Sequence, residues 1–256
     1  MQPKQLAIVI AAVALLSAGL GVVVTSAMRP KEVKVSLDIG GGRTLDLSKV
    51  LGDVGDLERA RISANEAAAI ATLRSIASAQ ELVQSLIEID TDFDGTGEYG
   101  YLGEMAGVAA VRGSGEPMDP ALLVSSLGNV TAGGIAERSG YLFRVFLPGA
   151  TVGGRTPGLP EGSRVEPDPD AAEILWCAYA WPAEAGVTGR RAFFISHEGE
   201  LTAAPNADGA YSGEDRAPAF DAALGSEHPG DMASLVPSSI LAQTSNDGRA
   251  WSSLGH

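Results

Sequence analysis

A run of apolar residues near the amino terminus constrains this chain more than any other feature. Residues 6–28 (LAIVIAAVALLSAGLGVVVTSAM) carry no charge. At 1.5 Å per residue, about 20 apolar residues in a helix span the hydrocarbon core of a bilayer. The run predicts a transmembrane anchor at 6–28, preceded by a short tail at 1–5. A cleaved secretory signal is the alternative. The apolar region of such a signal is usually shorter, about 7–15 residues, but Thr25, Ser26 and Ala27 are small residues that suit a cleavage site.

Charges on either side of this run bear on its orientation. Lys4 precedes it, whereas Arg29, Lys31 and Lys34 follow it, and the positive-inside rule places the more basic flank in the cytoplasm. The acidic, glycine-rich body and the signal-like start favour the opposite arrangement. We expect a single-pass membrane protein whose body lies outside the cytoplasm.

Composition limits the classes of function open to the body. The chain has 256 residues and a formal net charge of −14 at pH 7, so it offers no basic stripe to neutralise nucleic-acid phosphates. Its one cysteine, Cys177, excludes an intrachain disulfide and lies in an apolar run, as is typical of a small buried residue. The 32 glycines and 14 prolines predict long loops around a folded core.

A long amphipathic helix is the clearest predicted element of the body. Ser63 and Glu66 have the spacing of a capping box, in which the two side chains bond the unpaired N–H groups of a helix start. Apolar residues then recur on one helical face, which predicts a helix over residues 64–89. The stripe consists of Ile70, Leu73, Ile76, Ala77, Val83, Leu86 and Ile87. A helix this long needs a broad partner, and a sheet is expected there.

Strands are predicted on both sides of the helix. Residues 33–39 alternate between apolar and polar, which is the period of a half-buried strand. Strands are also predicted at 140–147, at 173–181, where apolar and small residues alternate, and at 190–197, which contains the apolar stretch 192–195. The turns between them are typical of an antiparallel meander. The expected fold class is α+β, with the long helix packed on an antiparallel β-sheet.

The same signals predict the organisation of the chain after its anchor. Residues 29–62 form a juxtamembrane strand and linker, and residues 63–204 form the α+β domain. Residues 205–256 contain few apolar clusters, so a loop-rich carboxy-terminal segment is expected there.

An acidic loop, DTDFDGTGEYG at 90–100, directly follows the helix. Its oxygen-bearing residues occupy ligand positions of a calcium loop of the EF-hand type, and Gly95 occupies the position of the turn glycine. These candidate ligands are Asp90, Asp92, Asp94, Thr96 and Glu98. Tyr101 stands where such a loop has its bidentate glutamate, so a calcium turn of another type is the form that remains.

Two other interpretations of this loop stay open. It can be an acidic, solvated turn at the helix end, in which Gly95 and Gly97 supply positive φ angles. Three aspartates at a helix carboxy terminus interact unfavourably with the helix dipole unless a cation or a basic neighbour offsets their charge. For this reason Ca²⁺ binding stays one of the open interpretations. A catalytic carboxylate pair is the third interpretation, although neighbours in one turn lack the separation and unlike environments that glycosidase acids need.

Three segments carry a resemblance to a known family. They are residues 65–76 (NEAAAIATLRSI), 140–143 (GYLF) and 186–194 (GVTGRRAFF). In this order they resemble the soluble domains of bacterial type IV pilin-like and pseudopilin-like proteins, in which a long helix packs on an antiparallel sheet. The resemblance implies that fold and a structural role.

The chain departs from that family at its amino terminus. The family is cut after a glycine that precedes Phe-Thr-Leu-Ile-Glu, and neither this motif nor a glutamate within the apolar run is present. Pro30, a predicted strand and a glycine run also separate the apolar run from the long helix. The resemblance therefore supports the fold better than it supports filament assembly.

We expect a non-enzymatic, membrane-anchored envelope protein with a structural or interaction role. One alternative is a minor component of a type II secretion or type IV pilus machine, and another is an envelope enzyme whose site the sequence does not reveal. Expected partners are the membrane, through residues 6–28, and other pilin-like or envelope proteins, but no nucleic acid. Ca²⁺ is the one cofactor that the sequence suggests. An enzyme should show a deep pocket lined by convergent polar groups.

Overall fold

The computed structural model divides the chain into two compact units, Met1–Ala60 and Arg61–His256. It describes residues 22–25, 34–38, 44–46, 48–149, 155–157, 166–226, 232 and 244–254.

The first unit contains a small antiparallel sheet. Its strands are β1 (Val22–Thr25), β2 (Lys34–Asp38) and β3 (Thr44–Asp46), in the order β1-β2-β3. The strand predicted at 33–39 is confirmed as β2. The predicted anchor at 6–28 lies outside the described residues apart from Val22–Thr25, which form strand β1 rather than the helix expected there. Within the described ranges, no helix is both long enough and apolar enough to cross a membrane.

Helix α1 (Ser48–Leu86) is 39 residues long, about 58 Å at the usual rise per residue. The predicted start near residue 64 is wrong, because the helix is already continuous there and Ser63 does not cap it. Glu66 instead reaches the turn before strand β8: its Oε1 accepts from the Arg190 N–H at 3.0 Å, and its Oε2 accepts from Arg191 Nε at 2.8 Å. Glu66, which the sequence assigns to a capping box, therefore makes a tertiary contact instead.

The second unit is built on a larger antiparallel sheet. Its strands are β4 (Ala136–Arg138), β5 (Tyr141–Pro148), β6 (Arg155–Pro157), β7 (Cys177–Pro182), β8 (Arg191–Ser196), β9 (Thr202–Pro205) and β10 (Ser252–Ser253). Six of them follow the order β10-β9-β8-β7-β5-β4, and β6 pairs with β5 beyond the end of β4. The meander β7-β8-β9 confirms the prediction of an antiparallel sheet, and the α+β class with it.

Both faces of this sheet are buried, which explains why β7 is apolar throughout and β5 is apolar apart from Arg144, rather than alternating. One face packs on α1 and the residues that follow it; this layer contains Leu73, Ile76, Val83, Phe143, Val145, Ala178 and Phe193. The other face is covered by carboxy-terminal residues; this layer contains Phe146, Tyr179, Trp181, Phe194, Tyr211, Leu224 and Trp251. Residues after 205 thus contribute side chains to the core.

Short helical segments complete the second unit. They are α2 (Leu102–Met105), a 3₁₀ turn (Ser125–Leu127) and α3 (Pro169–Ala172). Asp168 caps α3 by accepting from the Ala171 N–H at 3.0 Å, and Pro169 suits the first helical position. The strand predicted at 173–181 therefore starts later than expected, because residues 173–176 form the exit from α3 and β7 begins at Cys177.

Candidate functional site at the end of the long helix

The end of α1 determines where the acidic loop lies. The Glu88 N–H donates to the Val83 carbonyl and the Ile87 N–H to the Gln84 carbonyl, each at 3.1 Å. These two bonds make a Schellman motif, and Ile87 holds its left-handed position at φ 55°. The helix thus ends at Leu86 rather than at the predicted residue 89, and the chain turns back along it.

Two glutamines of α1 hold the neighbouring segments in place. Gln80 is fully buried, and its side-chain amide pairs with both the N–H and the carbonyl of Gly100 at 2.8 Å. Gln84 Nε2 donates to the Glu173 carbonyl at 2.6 Å. Gly97 packs against the helix backbone: a Cβ at this position would be 2.0 Å from the backbone carbonyl oxygen of Gln84, so only glycine fits. The acidic loop and the exit of α3 are therefore fastened to the same helical turns.

Glu98, one of the predicted calcium ligands, faces the protein interior. It is 1% exposed, and its Oε1 accepts from the N–H of Thr91 at 2.6 Å and from the hydroxyl of that residue. Its Oε2 accepts from Arg112 Nη1 at 3.0 Å, while Arg112 Nε donates to Glu104 Oε1 at 2.9 Å. Glu98 and Glu104 thus both pair with the Arg112 guanidinium. Through its bonds to Thr91, Glu98 also joins the two ends of the acidic loop.

The three aspartates shape the loop through bonds to its backbone. Asp90 Oδ2 accepts from the Gly95 N–H at 3.2 Å, and Asp94 Oδ1 accepts from the Thr96 N–H at 2.7 Å. Asp92 Oδ1 lies 3.4 Å from the Asp94 nitrogen. Asp90 Oδ1 is buried with no hydrogen-bond partner. These short-range bonds are typical of turns built on Asp side chains.

Asp92 and Asp94 meet two acidic residues that the sequence prediction missed. Carboxylate oxygens of Asp92, Asp94, Asp170 and Glu173 all lie within 4.8 Å of one another. Asp170 and Glu173 are separated from the loop by more than 70 residues of chain, and α3 brings them there. The sequence signal was the Asp168-Pro169 helix start, since the residues three apart after it share a helical face.

The negative charge of this group is poorly balanced. Burial raises the pKa of the Glu173 carboxyl, and the carboxylates of Asp94, Asp170, Asp92 and Glu98 raise it further. Desolvation likewise raises the pKa of Asp92, with repulsion from Asp94 and Asp90 added. Within the described part of the chain, no lysine or arginine forms an ion pair with any of the four clustered carboxylates.

The four carboxylates offer hard oxygen ligands for a metal ion, or acceptors for a positively charged side chain. Ca²⁺ takes six to eight oxygen ligands from carboxylates, carbonyls and water, so the four carboxylates could serve as part of a calcium shell. They could equally accept hydrogen bonds from guanidinium or ammonium groups. Of the five predicted ligands, Asp92 and Asp94 belong to this group, whereas Glu98 is engaged elsewhere.

Two large apolar side chains flank the carboxylates. Phe93, between Asp92 and Asp94, is 80% exposed and has a φ of 62°. Ile174, directly after Glu173, is 62% exposed. We call the six residues Asp92, Phe93, Asp94, Asp170, Glu173 and Ile174 the acidic end surface.

Two concave regions lie elsewhere on the second unit. One, of about 350 Å³, is bordered by Arg74, Glu198, Glu200 and Ser253. The other, of about 340 Å³, runs between the small residues of α1 around Ala71 and the 122–127 segment. His197, next to the first in the sequence, is half-buried, and burial lowers its pKa.

Comparison with known proteins finds no protein-family model, no curated protein and no solved structure that matches this chain. The pilin-like resemblance therefore remains an expectation from the three sequence segments.

Proposed function

We propose that this chain is a non-enzymatic structural or interaction protein of the bacterial cell envelope. In this proposal residues 6–28 anchor it in the membrane, and its pilin-like α+β body lies outside the cytoplasm. The observation that carries the proposal is the acidic end surface, in which four carboxylates from two separate segments lie within 4.8 Å of one another. Phe93 and Ile174 are large apolar side chains left in water next to these carboxylates in the sequence, and this exposure supports a role in contact with another protein.

The buried charges of the second unit support a structural role. Glu66 fastens α1 to the residues before β8, and Glu98 and Glu104 fasten the acidic loop to Arg112. Each of these carboxylates has its oxygens engaged by N–H groups of the fold. Buried carboxylates whose oxygens are all hydrogen-bonded within the fold favour one arrangement of the chain and have no oxygen left to bind a substrate.

The alternatives make different predictions in the native host. A minor component of a type II secretion or type IV pilus machine co-purifies with other pilin-like proteins after mild solubilisation. An envelope enzyme turns over a substrate in the purified state and binds it in a concave region such as the one beside Arg74. A structural or interaction protein of another kind neither co-purifies with pilin-like proteins nor turns over a substrate.

Export of the body can be tested with a single introduced thiol. Cys177, the one native cysteine, is 0% exposed and should not react in the folded protein. A Phe93→Cys variant and a second variant at the exposed Ser78 should both react with a membrane-impermeant maleimide on intact cells. Reaction of both only after lysis would overturn the proposed location, and the unsubstituted chain provides the background.

Contact through the acidic end surface can be tested by photo-crosslinking in the same host. A photoreactive amino acid at position 93 should give a discrete crosslinked protein. The same residue at Val187, which is 40% exposed in the turn at the other end of β7, is the matched control. Identical products at both positions, or none at position 93, would refute an interaction role for this surface.

A further inference from the structure

We propose that the concave region beside Arg74 binds a small zwitterion, namely an apolar dipeptide with free ends. Arg74 donates to the carboxylate of this ligand, and Glu198 and Glu200 accept from its ammonium group. The apolar side chains of the ligand lie on Ile195 and Leu201, which also line the cavity. The cavity shares no residue with the acidic end surface, so this inference goes beyond the contact role proposed above.

The walls of the cavity come from segments that the fold fixes relative to one another. Arg74 lies on α1, which packs on the sheet through its buried face. The turn between β8 and β9 forms another wall, and it is closed by the Gly199 N–H, which donates to the Ser196 carbonyl at 2.8 Å. Beside it the Leu254 N–H donates to the Leu201 carbonyl at 3.0 Å and continues the pairing of β10 with β9. A ligand therefore meets walls that are already ordered, which lowers the entropic cost of binding.

The charged side chains of the cavity have opposite signs but do not pair with each other. Arg74 and Glu200 line the same cavity, yet across the residues that the structure describes neither side chain makes a hydrogen bond or an ion pair. The Glu198 carboxylate has one long contact, at 4.0 Å, to Nε2 of His197. A guanidinium donates readily to a carboxylate, and a glutamate accepts from an ammonium group. A ligand that carries both charges therefore finds a free partner for each of its ends.

The volume and the apolar residues of the cavity indicate the size of the ligand. The cavity holds about 350 Å³, and small-molecule sites usually measure about 300–1,000 Å³. Ile195 and Leu201 belong to the core layer on the helix side of the sheet, so apolar side chains of a ligand gain apolar contact there. In a dipeptide the two Cα atoms next to the charged ends lie about 3.8 Å apart, so its ends reach separate charged groups. A single inorganic ion engages charges of one sign and leaves the apolar residues uncovered.

The test uses the full-length protein in a mild non-ionic detergent and the dipeptide Leu-Leu as the probe. Three matched ligands each lack one feature: N-acetyl-Leu-Leu lacks the ammonium charge, Leu-Leu amide lacks the carboxylate, and Gly-Gly lacks the apolar side chains. Titration calorimetry, corrected with empty micelles, should show Leu-Leu binding with a dissociation constant of about 1 mM or below. Each of the other three should bind about fivefold or more weaker, because a charge-assisted hydrogen bond or an apolar contact is lost.

Matched variants locate the binding on the protein. Arg74→Gln should weaken Leu-Leu binding about fivefold or more but leave the affinity for Leu-Leu amide unchanged, because that ligand has no carboxylate. Glu200→Gln should likewise weaken Leu-Leu binding and leave the affinity for N-acetyl-Leu-Leu unchanged. Arg138→Gln and Glu137→Gln are the controls, since both lie on β4 at the opposite edge of the sheet. Each control should change the affinity for Leu-Leu less than about twofold, because distant exposed charges are screened.

Absence of Leu-Leu binding at about 10 mM would overturn the proposal. Equal affinity for Leu-Leu and either blocked form would do the same, because the site would then recognise a single charge. So would equal losses in the cavity variants and the β4 controls. The comparison of ligands needs only the unsubstituted protein, so it decides the question even where a substitution impairs folding. A negative result leaves the crosslink test of the acidic end surface unaffected, and the two proposals therefore fail separately.

Discussion

Replacement of Gln80 by leucine gives the sharpest test of how the acidic loop is held. The Gln80 amide is 0% exposed and is the partner of both backbone groups of buried Gly100, at 2.8 Å each. Leucine has a similar volume, so Gln80→Leu leaves little cavity but strands one N–H and one carbonyl away from water. The loop that carries Asp92 and Asp94 loses its tie to α1.

The magnitude follows from the two stranded groups. Leaving a buried donor or acceptor unpaired costs about 1–3 kcal/mol, so two cost about 2–6 kcal/mol. Burial of the more apolar leucine side chain returns about 1 kcal/mol. We expect Gln80→Leu to lower the free energy of unfolding by about 1–5 kcal/mol.

Urea denaturation of the full-length protein in mild detergent measures this effect. All 3 tryptophans, Trp176, Trp181 and Trp251, are buried in the second unit, so their fluorescence reports its unfolding. Gln84→Leu is the matched control, because Gln84 makes one partly buried bond and its loss should cost about 1 kcal/mol. A Gln80→Leu loss no larger than that of Gln84→Leu would refute the reasoning.

Three further predictions concern the same end of the molecule. Ile87→Gly should raise the free energy of unfolding by about 0.5–1 kcal/mol, because a β-branched residue is strained at φ 55°. Leu86→Gly, at the last residue of the helix, should instead lower it by about 1 kcal/mol in the same urea assay. Glu173→Gln should raise the urea midpoint at about pH 7 but not near pH 4: a raised pKa means that the folded state keeps this proton longer than the unfolded chain, so the destabilisation by the carboxylate develops as pH rises through the raised pKa. An equal gain at both pH values would contradict that account. Calorimetry at about millimolar Ca²⁺ should show heat that is lost in the Asp92→Asn, Asp94→Asn variant if the loop is a calcium turn, and no heat in the unsubstituted protein would exclude it.

Prediction from sequence worked where the signal is local. The apolar run at 140–147 is strand β5 within one residue, and the run at 190–197 contains β8. A strand buried on both faces is continuous in its apolar residues, so the pattern is readable without knowledge of its partners. The helix stripe through Leu73, Ile76 and Val83 was readable for the same reason, since all three are buried against the sheet.

Prediction failed where the same local pattern is compatible with two structural roles of a residue. Ser63 and Glu66 fit a capping box, yet Glu66 bonds residues more than 120 positions away. Leu86 and Ile87 fit the buried stripe, yet they are 59% and 47% exposed because the Schellman turn ends the helix at that point. For Glu66 a local pattern cannot distinguish the two outcomes, because its partners Arg190 and Arg191 come from another part of the chain. For Leu86 and Ile87 the apolar period continues past the residue at which the helix ends.

The sequence by itself determined the α+β class, the main strands, the long helix and the acidic character of the loop after it. These depend on periodicity and composition, which are properties of neighbouring residues. Only the tertiary structure decided which carboxylates act together. Folding turns Glu98 inward to Arg112 and brings Asp170 and Glu173 from α3 to Asp92 and Asp94. Electrostatic interaction depends on distance in space, and the fold alone sets that distance.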